Sequence, residues 1–141
     1  MAIYISNSPE ETIDFGARWA ATLKAGTLVT LEGELGAGKT QLCKGFGKGL
    51  GIHEPVVSPT FALMNEYRSG RLPLYHIDLY RLNGPEDVLS AGLNEYFCRD
   101  GICVVEWFCR WGEIKGLQGW RIDLTELSER QREISYVEFG D

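Results

Sequence analysis

The stretch Thr27-Leu28-Val29-Thr30-Leu31-Glu32-Gly33-Glu34-Leu35-Gly36-Ala37-Gly38-Lys39-Thr40 decides how this chain is read. Thr27 to Leu31 is a short β-rich apolar run with the composition of a buried strand. Gly33 to Thr40 satisfies Gly-x-x-x-x-Gly-Lys-Ser/Thr, and the following Leu42, Phe46 and Leu50 recur at helical spacing until Gly49 and Gly51 stop them. A glycine-rich loop that leaves a strand and opens a helix is a phosphate-binding loop. The glycines let successive amide hydrogens point into one concavity, and the helix N-terminus adds partial positive charge. Lys39 supplies a point charge for β- and γ-phosphates, and Thr40 a hydroxyl for magnesium. The chain is expected to bind a nucleoside triphosphate.

Working outward, Ser8-Pro9-Glu10-Glu11 has the form of a helix start, with Ser8 as cap, proline in the first turn and Glu11 three residues after the cap. Ile13, Ala17, Ala20 and Leu23 then follow at helical spacing. Ala62–Tyr67 and Leu72–Leu79 read as a hairpin about Ser69-Gly70, Pro85–Ala91 as a short helix, and Ile102–Val105, Trp120–Leu124 and Ile134–Phe139 as strands. Strands alternating with helices predict an α/β fold of the P-loop NTPase type, a mixed parallel and antiparallel central sheet flanked by helices. At 141 residues, residues 1–141 are expected to form a single P-loop ATPase domain.

Composition narrows the function. Lys and Arg number 14 against 20 Asp and Glu, a net charge of −6, which excludes a protein that grips nucleic acid by bulk charge alone. The sequence holds no apolar run long enough for a transmembrane helix and no secretory signal, so a cytoplasmic location is expected. Cys43, Cys98, Cys103 and Cys109 form no Cys-x-x-Cys pair and both histidines lie far from them in sequence, so the spacing argues against zinc and for reduced, mostly buried thiols. Glycine is the outlier: 17 of 141 residues, against a usual share of roughly 7%.

The guanine-reading element Asn/Thr-Lys-x-Asp is absent, so adenine is favoured. Nothing resembles the arginine-rich lid of a small kinase, so hydrolysis or a switch coupled to it fits better. A phosphate-loop site also needs a carboxylate at a neighbouring strand end. Glu106, closing Gly101-Ile102-Cys103-Val104-Val105-Glu106, and Asp78, closing Tyr75-His76-Ile77-Asp78, are the two candidates. Thr60 in Ser58-Pro59-Thr60-Phe61 follows the loop helix, where either a γ-phosphate-sensing loop or an ordinary turn fits. His76 reads as a structural histidine, and Trp107 as either functional or core.

Gly33-Glu34-Leu35-Gly36-Ala37-Gly38-Lys39-Thr40, then Ser58-Pro59-Thr60-Phe61, then His76-Ile77-Asp78-Leu79-Tyr80-Arg81, then Val104-Val105-Glu106-Trp107 resemble, in order and spacing, the TsaE (YjeE) family of bacterial ATPases required for threonylcarbamoyladenosine synthesis on tRNA. The resemblance covers nearly the whole chain. Its departures are Gln41, where a second threonine is common, and the undistinctive Phe108–Trp111. It implies that Leu35, Gly36, Ala37, Gly38, Lys39 and Thr40 hold the phosphates of ATP, and that Thr40 and Glu106 coordinate Mg2+. It further implies that Lys39, Asp78 and Glu106 are catalytic, with Asp78 orienting water, that Thr60 belongs to a switch-like loop, and that Arg130 approaches the base. The implied function is an accessory ATPase, weak alone and stimulated by its partners, that docks on the TsaB–TsaD heterodimer and meets tRNA only through that complex. A free-standing small-molecule kinase and a nucleotide-sensing adaptor with incidental hydrolysis are the alternatives.

Overall fold

Ser8 caps the first helix, its hydroxyl accepting from the Glu11 amide at 3.1 Å while the Glu11 carboxylate accepts from the Asn7 amide at 3.0 Å. The expected helix start is therefore present. The structure is a computed structural model that describes residues 2–34, 36–59, 63–96, 100–111 and 117–140. Its elements run β1 (Ala2–Ser6), α1 (Pro9–Ala20), β2 (Leu28–Glu32), α2 (Lys39–Gly49), β3 (Met64–Tyr67), β4 (Leu74–Asp78), α3 (Pro85–Ser90), β5 (Ile102–Glu106), β6 (Gly119–Glu126) and β7 (Arg132–Phe139). Single 3-10 turns occupy Leu93–Tyr96 and Phe108–Arg110.

The strands form one sheet in the order β1-β7-β6-β2-β5-β4-β3. Its centre is parallel: β2 lies between β6 and β5, and β4 pairs with β5 in the same sense. Its margins are antiparallel, through the hairpins β3–β4 and β6–β7 and the return of β1 onto β7. The predicted mixed α/β sheet is observed. β1 is the element the sequence reading passed over. Ile3 and Ile5 face outward (58% and 40% exposed), while Tyr4, stacked on Phe15, and the buried Ser6 face the core. The segment thus turns its isoleucines away from the core and is held as a strand by pairing with β7.

Side-chain alternation divides the core. Val29, Leu31, Ile102, Val104 and Ile122 face α1 and α2, whereas Leu28, Tyr75, Ile77, Cys103 and Val105 face α3 and the 3-10 turns. The glycine surplus belongs partly to the first layer. A Cβ on Gly45 or Gly49 would overlap the carbonyls of Ile13 and Ala17 across the α1–α2 contact, so these helices pack backbone against backbone. Cys43 and Cys103 are buried free thiols as expected, Cys109 is exposed instead, and Cys98 lies outside the described residues. Among the described residues no helix is long and apolar enough to cross a membrane.

Candidate functional site

The C-terminal ends of β2, β4 and β5 converge on the start of α2, the place where open α/β sheets collect ligands. The loop between β2 and α2 turns there through left-handed backbone at Gly36 (φ 87°) and Gly38 (φ 104°), which glycine adopts without steric cost. A cavity of about 660 Å³ opens beside it, lined among others by Pro9, Gly38, Lys39, Thr40, Ser58, Asp78, Tyr80, Glu106, Trp107 and Arg132.

Strand alternation brings the acids to this cavity. Asp78 and Glu106 are paired in register on adjacent parallel strands, and Glu106 is also level with Leu31 of β2. His76 stands two residues before Asp78 and shares its face, directed at α2. The carboxylate of Glu106 is buried (6% exposed) between two cations. Its Oε2 lies 2.6 Å from His76 Nε2 and its Oε1 3.4 Å from Lys39 Nζ. Burial pushes the Glu106 acid upward, but His76 and Lys39 outweigh burial and hold it below the usual 4.5. Glu106 is thus an ionised carboxylate at neutral pH.

Burial alone would lower His76, yet Cys43 and Glu106 prevail and carry it up to about 10. Half-buried Asp78 is raised above the ordinary 3.8, first by burial, with the Tyr80 amide opposing and Glu106 adding to the rise. The Tyr80 amide donates to Asp78 Oδ1 at 2.9 Å, which fixes the carboxylate at the strand end.

Trp107 follows Glu106 in left-handed backbone (φ 61°, ψ 41°), a conformation that costs a non-glycine residue roughly 1–2 kcal/mol. That turn swings its ring over Lys39 Nζ at 5.5 Å, with Arg110 at 5.5 Å and the Tyr80 ring at 4.9 Å. Trp107, which the sequence leaves open between function and core, both lines the cavity and packs on the core layer that faces α3.

With this geometry in place, comparison with known proteins adds the family. The model of the family "Threonylcarbamoyl adenosine biosynthesis protein TsaE" matches residues 6–134. The chain belongs to the TsaE family. A Bacillus subtilis relative named tRNA threonylcarbamoyladenosine biosynthesis protein TsaE is 43% identical over 134 residues, covering 95% of this chain and 84% of the relative. A Nostoc relative of the same name is 54% identical over 102 residues, 70% of this chain but only 62% of the relative's own length. The crystal structure of Bacillus subtilis YdiB superposes with a TM-score of 0.84 at 39% identity, covering 99% of this chain and 86% of that one.

In this TsaE-family chain, Gly36, Gly38, Lys39, Thr40, Asp78 and Glu106 come together as the sequence suggested, and Ala37 is buried beneath the loop. Leu35 and Thr60 lie outside the described residues, although Ser58 reaches the cavity. Arg130 is exposed and sits 3.9 Å from Glu10; it is not among the residues lining the cavity. Arg132, which the sequence reading did not single out, is the arginine that meets the loop. Its Nη2 donates to the Gly36 carbonyl at 3.1 Å and its Nη1 to the Ser128 carbonyl at 2.8 Å. As the first residue of β7, its position follows from a hairpin register that no local motif announces. Cys43, expected only as a reduced and buried thiol, has a further contact that sequence spacing does not reveal: α2 and β4 bring its Sγ within 3.6 Å of His76 Nε2 across the fold.

Proposed function

We propose that this chain is a small magnesium-dependent ATPase that acts in the cytoplasm as an accessory subunit of threonylcarbamoyladenosine formation on tRNA, docking on a TsaB–TsaD complex and sustaining its turnover. The observation that carries the ATPase reading is the convergence of Lys39, Thr40, Asp78 and Glu106 on one cavity at the glycine-rich loop. The tRNA reading rests on the family and on the names its relatives bear.

Thr40 and Glu106 offer hard oxygen donors to the same cavity, the kind of set magnesium takes. Thr40 and Glu106 would hold such an ion, which would supply positive charge against the negative charge developing on the phosphates. The remaining work falls to the chain. The amides of the loop and the N-terminus of α2 cradle the phosphates. Lys39, already turned into the cavity beside Glu106, brings its charge to the β- and γ-phosphates. Asp78, whose carboxylate the Tyr80 amide holds, accepts a hydrogen bond from an attacking water and so aligns it. A net charge of −6 suits docking on a protein better than gripping tRNA directly.

The test is to mix the chain with TsaB, TsaD, tRNA and ATP, measuring complex formation, phosphate release and modified tRNA. Stimulated phosphate release together with repeated modification supports the reading. Transfer of labelled phosphate to a small acceptor would instead make the chain a kinase. Full turnover with a variant that binds ATP but cannot hydrolyse it would make it an adaptor.

A further inference from the structure

Beneath the phosphate loop, the described residues contain one cluster that the ATPase reading only half uses. Lys39 and Cys43 are one helical turn apart on α2, so both face the ends of β4 and β5. Cys43 Sγ lies 3.6 Å from His76 Nε2, which lies 2.6 Å from Glu106 Oε2, and the three donor atoms all fall within 4.8 Å of one another. All three residues are buried, Cys43 and His76 at 1% exposure and Glu106 at 6%.

We infer that Cys43, His76 and Glu106 form a site for a thiophilic divalent ion of the zinc class, which captures the carboxylate that the proposed ATPase needs and thereby switches hydrolysis off. The inference of switching rests on the ATPase reading; the inference of binding does not. Zinc bonds of about 2.3 Å to sulfur and about 2.0 Å to nitrogen at a tetrahedral angle put those two ligands roughly 3.5 Å apart. Cys43 and His76 already stand at that separation. The nitrogen–oxygen edge of such a site is roughly 3.3 Å, so His76 and Glu106 part by less than an ångström when the ion replaces the proton they share.

The donor set fixes the class of ion. A thiolate with an imidazole and a carboxylate suits zinc or cobalt(II) and is wrong for magnesium, which takes oxygen ligands. Thiolate and carboxylate together cancel the charge of a divalent ion, which matters in a buried place. The set holds three protein ligands and leaves a fourth position for water. His76 Nδ1, the ring nitrogen not offered to the ion, is buried with no hydrogen-bond partner among the described residues. Glu106 lines the nucleotide cavity, and that cavity gives the ion its route in.

Cobalt(II) is the probe, added to the metal-free whole chain and to the C43S, C43A and C109S variants, each checked for an unchanged melting profile. We expect a near-ultraviolet thiolate-to-cobalt band and tetrahedral visible bands in wild type and C109S. We expect the thiolate band to vanish in both Cys43 variants, and zinc affinity by chelator competition to fall at least tenfold. With magnesium and ATP, micromolar zinc should inhibit wild type reversibly and leave C43S uninhibited. No thiolate band, or the same band in the Cys43 variants, overturns the site. Equal inhibition of wild type and C43S overturns the switch. Absence of any hydrolysis by zinc-free wild type with its partners would sink the ATPase reading instead, while the cobalt spectrum still judges the site.

Discussion

Lys39 Nζ lies 3.4 Å from Glu106 Oε1, with both side chains largely buried (13% and 8% exposed). The lysine of the phosphate loop is thus preset by the carboxylate across the cavity, and Glu106 is held on its other side by His76. Two charges that interact in a partly dry site attract more strongly than in water, so each sets the other's position within the cavity.

The first expectation concerns Lys39→Ala. The ammonium faces the cavity and not the apolar layers, so its loss opens no core void, and His76 still accompanies Glu106. ATP affinity should drop at least tenfold and hydrolysis should vanish, while the melting temperature moves by only a few degrees. Titration calorimetry and a thermal melt decide it; unchanged ATP affinity would refute the placement of Lys39 on the phosphates.

Glu106→Gln keeps the shape of the side chain and removes its charge. Hydrolysis should fall by two orders of magnitude or more, with ATP binding largely retained through the loop amides and Lys39. The buried cations His76 and Lys39 lose their counter-charge, so stability should also fall, by about 1–3 kcal/mol. Steady-state ATPase, affinity and urea unfolding on one preparation separate these effects. Near-normal turnover would shift the catalytic carboxylate to Asp78.

Much of this site was legible because its parts are local or periodic. Gly33 to Thr40 is a contiguous motif between a strand and a helix. Glu106 and Asp78 end apolar runs, and period two in a strand already puts His76 on the face of Asp78. Arg132 and Cys43 were not legible for a different reason. Arg132 reaches Gly36 only because β7 pairs with β6 so that Arg132 is level with Glu126. Cys43 meets His76 only because α2 lies across β4. β1 is not legible either, since its isoleucines Ile3 and Ile5 face outward while Tyr4 and the polar Ser6 face the core, the reverse of the apolar-in alternation that reveals a strand.

His76 predicts a loss of stability on the alkaline side. Its ring is carried up to about 10 in the fold from an ordinary 6.5, so the folded chain keeps a proton that the unfolded chain gives up. That stabilisation is complete below pH 6.5 and is lost as pH rises through about 10. Glu106, held below 4.5, sets the acid edge: its contribution is full above pH 4.5 and is lost as pH falls through its folded value. The melting-temperature gap between wild type and His76→Gln, in metal-free buffer, should therefore be widest between about pH 5 and 6.5 and narrow towards pH 10. A gap that stays constant across that range would contradict a protonated His76.

Gly45→Ala tests how the helices that carry the loop are packed. Helix propensity alone favours alanine by about 1 kcal/mol. The new Cβ would overlap the Ile13 carbonyl and lie 3.0 Å from Gly16 Cα, so α1 and α2 must separate. Destabilisation of about 3 kcal/mol is expected. Gly51→Ala is the comparison: its left-handed backbone (φ +76°) has nothing within 4 Å of a Cβ, and only the backbone strain of about 1–2 kcal/mol applies. Urea unfolding that ranks Gly51→Ala as the worse of the two would contradict the close packing of α1 on α2.

Arg132 and Arg130 offer the sharpest contrast, because they are two residues apart and meet different surroundings. Arg132 is 18% exposed and lies 3.5 Å from Glu126, and its guanidinium donates to the carbonyls of Ser128, Gln131 and Gly36. It ties the β6–β7 turn to the phosphate loop and lines the cavity. Arg130 is 66% exposed beside an exposed Glu10, a surface pair of the kind worth at most about 1 kcal/mol. Arg132→Ala removes the tie on Gly36 and one positive charge from the cavity, so ATP affinity should fall about tenfold or more, with a smaller loss of stability. Arg130→Ala should leave ATP affinity within about twofold if its role is confined to that surface pair. Arg132→Lys keeps the charge but cannot span both the turn and the loop with one planar fork, so it should recover only part of the affinity. Calorimetric titration of ATP into the three variants distinguishes the roles. A larger loss in Arg130→Ala than in Arg132→Ala would return base or phosphate contact to Arg130 and reduce Arg132 to a structural tie.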